Sequence, residues 1–135
     1  MATHAVYPGT FDPFTSGHLD VVDRVRRQFD LVTVLVAVNP DKSPGAGATE
    51  RAVGVRKMVL PEWDNVVVTA WAGLTATFCR ENRADVIVRG VRNRTDLGLE
   101  CQLAAMNEAL GVTTLLVPAR PELVGVSSTV RRAGA

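Results

Sequence analysis

The segment Leu31–Val38 reads LVTVLVAV, and Thr33 is its single polar residue. A run so short, so apolar and so rich in valine suits a strand covered on both faces, the usual condition of a strand inside a parallel sheet. Parallel neighbours cannot be joined by a tight turn. They need a crossover, usually a helix. This one run therefore predicts helices on either side of it and further strands beyond them.

The rest of the chain supplies them. Residues 3–7 form a short β-prone run, followed by a loop at 8–16. Across 17–29, Leu19, Val22, Val25 and Phe29 recur at helical spacing, with Asp20, Asp23, Arg24 and Arg27 on the other faces. Residues 39–48 hold Pro40, Pro44, Gly45 and Gly47 and read as a loop. A helix is predicted over 49–60 with Thr49 as its N-cap. Strands are predicted at 66–69, 85–88 and 113–117, and helices at 74–82 and 97–110. A last short helix would open at Ser127. Strand and helix alternate throughout, which predicts an α/β fold with a doubly wound five-stranded parallel sheet and right-handed crossovers. No repeat or linker divides residues 1–135, so one domain is expected.

Composition narrows the function classes. With 47% hydrophobic and 21% charged residues, the chain is globular rather than disordered. A net charge of +1 argues against a long nucleic-acid footprint, which needs a strong basic excess. No apolar run approaches the ~20 residues of a membrane span, and the N-terminus carries no secretory pattern. A cytoplasmic protein that binds neither nucleic acid nor membrane is the expectation. Cys79 and Cys101 lack metal or redox spacing and read as buried, reduced thiols in helices.

In doubly wound sheets, ligands bind beyond the carboxyl ends of the strands. The polar punctuation of this chain falls there: Thr10 to His18, Lys42, Thr75, Arg89 to Arg92, and Ser127 to Thr129. In the first of these loops, Gly9 would let backbone approach a ligand. Gly17-His18 would stand at a helix start, where free N–H groups and the helix dipole favour an anion. The loop is neither a G-x-G-x-x-G fingerprint nor a P-loop. Taken singly, the same residues could be a Pro/Gly turn, an exposed lysine, solvated arginines and an ordinary helix cap.

Together they have a precedent. The string GTFDPFTSGH resembles the T-x-G-H signature of the nucleotidyltransferase superfamily. Asn39-Pro40-Asp41-Lys42, Arg89-Gly90-Val91-Arg92, Thr95-Asp96 through Glu100, Gln102 to Asn107 and Val126-Ser127-Ser128-Thr129 resemble, in order, the phosphopantetheine adenylyltransferase family. The similarity runs from about residue 5 to residue 130.

The resemblance implies a Rossmann-like nucleotidyltransferase fold and the reaction of ATP with 4′-phosphopantetheine to give dephospho-coenzyme A and pyrophosphate. An attacking phosphate is already an anion, so no general base is needed, and catalysis would rest on positioning and charge stabilisation. By the same resemblance, His18, Lys42 and Arg92 would be catalytic. ATP would meet Thr10, Phe11, His18, Gly90, Val91, Arg92, Glu100 and the run Leu123, Val124, Gly125, Val126, Ser127, Ser128, Thr129. The acceptor would meet Thr10, Lys42, Thr75, Arg89 and Asn107. Glu100 would lie on the ribose or adenine side. Mg²⁺ would ride on the ATP phosphates rather than in a protein cage, and the chain would assemble as a homo-oligomer, a hexamer in that family.

This chain departs from the family pattern in places. Leu123 stands where an aromatic is usual near the adenine, Thr75 replaces a larger apolar residue, and Asp96-Leu97-Gly98-Leu99-Glu100 lacks the family's aromatic. The C-terminus after Thr129 reads as shortened. Two other functions stay open: a related nucleotidyltransferase with another phosphorylated acceptor, such as a cytidylyltransferase, and a non-catalytic binder of nucleotide or coenzyme A.

Overall fold

A computed structural model describes residues 2–38 and 47–120. Its elements alternate as the sequence predicts: β1 (His4–Gly9), α1 (Ser16–Arg26), β2 (Leu31–Val38), α2 (Ala48–Met58), β3 (Val66–Ala72), α3 (Thr75–Glu81), β4 (Val86–Val91), α4 (Arg94–Ala109) and β5 (Thr113–Pro118). The sheet is five-stranded, in the order β3-β2-β1-β4-β5, and every pairing is parallel.

The pleat explains how helices come to cover both faces. Along β1, Ala5 and Tyr7 point to one side and Val6 to the other. Ala5, Tyr7, Val32, Val34, Val36 and Val88 join Val21, Val22 and Val25 of α1 and Ala52 and Val55 of α2 in one core. Val6, Leu35 and Ile87 join Ala76, Phe78 and Cys79 of α3 in a second. Residues 32–36 of β2 are all buried, the outcome expected of the LVTVLVAV run. The edge strands β3 and β5 alternate between exposed and covered residues.

His4, Trp63 and Trp71 prove structural. The His4 ring is buried with Nε2 2.7 Å from Thr33 Oγ1. Trp63 lies under the Arg26 guanidinium, 4.3 Å from its ring centre. Trp71 packs edge-on against Phe78 and donates from Nε1 to the Leu74 carbonyl.

Several local expectations change. The N-cap of α2 is Gly47, with no side-chain hydrogen bond, and Thr49 lies inside the first turn. Helix α4 starts at Arg94 rather than at 97, because Asn93 caps it by accepting from the Asp96 N–H. Arg89, Gly90 and Val91 belong to β4 instead of the loop after it, since pairing with β5 continues to Val91↔Pro118. Cys79 is buried, but Cys101 is exposed.

Candidate active site

Strands β1 and β4 pair only at Ala5↔Val86 and Val6↔Ile87. Beyond Val6 they part, while β1 keeps its register with β2 as far as Gly9↔Val36. The opening lies where strand order reverses, the switch point at which doubly wound sheets take their ligands. A cavity of about 430 Å³ occupies it, a volume within the range of small-molecule sites. One wall comes from β1 and the start of α1, through Tyr7, Thr10, Phe11, Thr15 and His18. The other comes from β4 and the start of α4, through Arg89, Gly90, Val91, Arg92, Asp96 and Glu100.

The first wall is built by packing. After β1 the chain turns through Phe11, at a left-handed φ of 52°, and a cis Asp12–Pro13 bond. The turn brings the Phe11 ring back over Gly9, where a Cβ would lie 2.7 Å from the ring. The bareness of Gly9 thus makes room for Phe11, and Gly9 itself lines the cavity. Thr15 then caps α1: its Oγ1 accepts from the His18 N–H at 3.4 Å, and its own N–H donates to His18 Nδ1 at 2.9 Å. This is a capping box with histidine in the place of the usual Glu or Gln.

The cap decides the tautomer of His18. Because Nδ1 accepts a hydrogen bond, a neutral imidazole carries its proton on Nε2 and keeps that N–H as its free donor. Aromatic rings hold the imidazole plane. Phe11 lies edge-on at 5.1 Å, Phe14 is tilted at 5.5 Å and Tyr7 is 6.4 Å away. Burial, and then the positive charges of Arg92 and Arg89, push the imidazole pKa below its usual range. A half-buried, neutral N–H donor at a helix N-terminus is suited to an anionic oxygen.

The second wall is built by charge. Arg89 donates from Nε to Glu100 Oε2 at 2.6 Å and from Nη2 to Oε1 at 2.9 Å, a bidentate pair. Its Nη1 donates to the Pro8 carbonyl at 3.1 Å, so one guanidinium ties β4 to both α4 and β1 across the opening. The bond to Glu100 holds Arg89 more firmly protonated than an ordinary arginine. Beneath the pair, burial raises the Tyr7 phenol above its usual range and keeps it neutral. Arg92 is looser: its side chain is 74% exposed, and Nε reaches Asp96 Oδ2 at 3.0 Å.

The cytidylyltransferase-like family model matches residues 6–134 of this chain. A phosphopantetheine adenylyltransferase of Thioalkalivibrio sulfidiphilus is 46% identical over 134 residues, covering 98% of this chain and 84% of that protein. One of Corynebacterium diphtheriae is 41% identical over 127 residues, covering 93% of this chain and 80% of the relative.

The chain belongs to the phosphopantetheine adenylyltransferase family.

Its fold is shared more widely than its sequence. A lipopolysaccharide core biosynthesis protein of Thermoplasma volcanium superposes with a TM-score of 0.61 at 20% identity, over 89% of this chain and 98% of that one. The NadR protein in complex with NAD and AMP-PNP gives 0.61 at 17% identity, over 98% of this chain and 42% of that one.

Of the residues that the phosphopantetheine adenylyltransferase resemblance singled out, the structure gathers Thr10, Phe11, His18, Arg89, Gly90, Val91, Arg92 and Glu100 around one cavity. It does not bring Thr75 or Asn107 there. Thr75 opens α3 beyond the edge strand β3. Asn107 is buried, and its amide donates to Thr114 Oγ1 at 3.0 Å, which joins α4 to β5. Glu100, expected on the ribose side, has both carboxylate oxygens on Arg89. Lys42 and residues 123–129 lie outside the described residues.

Among the lining residues with polar side chains, three carried no expected role. Tyr7 forms the floor, Thr15 sets the His18 tautomer, and Asp96 braces Arg92. Thr15 was detectable, since Thr-x-x-His has the spacing of a capping box. Asp96 four residues after Arg92 was a readable helical ion pair once α4 was started early enough. Tyr7 carried no such signal, because it looks like any other strand residue.

Proposed function

We propose that this chain transfers the adenylyl group of ATP to 4′-phosphopantetheine, releasing pyrophosphate. Three relatives at 41–46% identity, over 82–98% of this chain, bear that activity in their names. The observation that carries the reading is the switch-point cavity that a neutral His18 donor lines together with Arg89 and Arg92.

The chemistry asks little of the protein beyond placement. A terminal phosphate oxygen of the acceptor attacks the α-phosphorus of ATP, and the bond from that phosphorus to the bridging oxygen breaks. Pyrophosphate leaves with the bonding electrons, and no proton need be removed from the nucleophile. His18 Nε2–H would stabilise the charge that builds on the α-phosphoryl oxygens. Thr10 would orient the attacking phosphate, and Arg89 and Lys42 would bind it. Arg92 would meet the ATP phosphates, with Gly90 and Val91 supplying backbone beside the nucleotide. Glu100, by gripping Arg89, sets the plane of the guanidinium, and it would lie on the ribose or adenine side of the nucleotide. Residues 123–129, Thr75 and Asn107 keep their proposed nucleotide and acceptor roles from family membership alone.

Among the described residues, no group of three or more His, Cys, Asp or Glu could hold a metal ion. Mg²⁺ would arrive on the nucleotide phosphates, where it would offset negative charge. An oligomer is supported by the outer face of α4. Leu99, Leu103 and Met106 are exposed along one side of it, with Leu115 exposed on the neighbouring edge strand. A hexamer and a cytoplasmic location complete the proposal; no helix among the described residues is long and apolar enough to cross a membrane.

The test is pyrophosphate release from ATP with 4′-phosphopantetheine, repeated with CTP and GTP. ATP-dependent release is expected. Release only with CTP, or only with another phosphorylated acceptor, would assign the chain to a sister activity. Binding without release would make it a non-catalytic homologue.

A further inference from the structure

Arg51 is the one buried arginine among the described residues, only 5% exposed, and none of the roles above uses it. It sits in the first turn of α2, beside Ala52 and Val55, which pack in the core. Burying a permanent cation is costly unless its N–H groups are satisfied. An apolar side chain would serve packing better, so the charge needs a purpose of its own.

Its hydrogen bonds indicate one. Arg51 Nη1 donates to the Thr10 carbonyl at 2.7 Å and to the Ala37 carbonyl at 2.9 Å. The last β1–β2 rung is Gly9↔Val36. Thr10 and Ala37 are therefore the first residues past the point where β1 leaves its neighbour. The guanidinium supplies one more rung, from a helix, at the place where the ladder ends. The next residue after Thr10 is Phe11, with its left-handed φ, and the Phe11 ring packs against His18.

We infer that Arg51 is a positioning residue for the transfer reaction. By clamping the Thr10 carbonyl to the end of β2, it sets where the phosphate-handling turn begins. That in turn sets the Thr10 hydroxyl and, through Phe11, the His18 ring. Arg51 is not among the residues that line the cavity. The inference rests on the proposed adenylyl transfer for its activity readout and on geometry alone for its structural one.

The experiment compares the full chain with Arg51→Lys and Arg51→Met, each normalised to folded protein by circular dichroism. Arg51→Met should lose turnover by roughly 10- to 100-fold, the scale of a small misplacement of reacting groups, with ATP affinity near that of the unaltered chain. Arg51→Lys, whose ammonium can donate to both carbonyls, should keep most of the turnover. In the Met variant, and not in the Lys variant, the Thr10 and Phe11 amides should exchange faster with solvent. Should Met fail to fold, Arg51→Gln takes its place under the same criteria. Unchanged turnover per folded molecule, or a loss that lysine does not repair, overturns the inference. If the unaltered chain releases no pyrophosphate, the proposed reaction fails, and amide exchange at Thr10 and Phe11 alone decides the role of Arg51.

Discussion

The two walls of the cavity solve the same positioning problem by different physics. On the β1–α1 side, His18 is fixed by a helix cap and by three aromatic rings. On the β4–α4 side, Arg89 and Arg92 are fixed by carboxylates, the first firmly and the second loosely. Packing and backbone caps are short-ranged and indifferent to salt. Ion pairs gain strength with burial and are screened when exposed. The charged wall should therefore be the adjustable one, where an arriving polyphosphate can compete for the guanidinium groups. The aromatic wall should keep one donor in one orientation.

The largest effect should come from breaking the packed wall at its donor. His18→Ala is expected to lower kcat by about 100-fold or more, the scale for losing one transition-state donor. ATP binding, measured by calorimetry, should change little. Normal turnover would show that the charged wall carries the chemistry alone.

Next is Glu100→Gln, which unpins Arg89. Breaking a fully buried pair costs roughly 3–5 kcal/mol. The Arg89 side chain is 28% exposed, so a smaller loss of about 2 kcal/mol is expected, seen as a lower Tm. Turnover should fall about tenfold as the guanidinium plane loosens. An unchanged Tm would mean that the pair does not hold this wall.

A pH profile tests how the walls communicate. Because the His18 pKa is depressed, the imidazole stays neutral below its usual range, and the acid limb of kcat should lie correspondingly low. Arg92 contributes to that depression after burial. Arg92→Ala removes a nearby positive charge, eases protonation of His18 and should move the limb to higher pH. A shift to lower pH, or none, would show that the two walls are electrostatically independent.

The smallest effect is expected at the exposed pair. Asp96→Asn releases Arg92, yet surface ion pairs contribute little. The change in kcat/KM should be slight at low salt. It should vanish near 1 M salt, where the Debye length is about 3 Å. A large, salt-resistant loss would put Asp96 in contact with substrate.

Much of this is legible in the sequence. Residues 31–38 announced a doubly covered strand, and β2 is buried on both faces for that reason. The alternation of valine-rich runs with helical repeats placed all nine elements of the described residues, since periodicity is a local property. Helix starts were harder. Asn93 was an available cap, but the apolar pattern that begins at Leu97 drew the boundary too late. Cys101 reads as buried from its helical segment and its lack of metal or redox spacing. The face that carries it is turned outward in this chain.

The order of elements and the Thr-x-x-His cap are written in the sequence, because each depends on residues close together along the chain, and the alternation of strand and helix implies the parallel sheet. It also carried the ordered set of motifs that marks the family. The tertiary structure alone decided that the Arg89 fork closes on Glu100, that Asn107 joins α4 to β5, and that Arg51 reaches back to Thr10, 41 positions away. These bonds join residues brought together by the winding of the sheet. Which carbonyl or carboxylate satisfies a buried guanidinium depends on where the strands part, and no local pattern records that point.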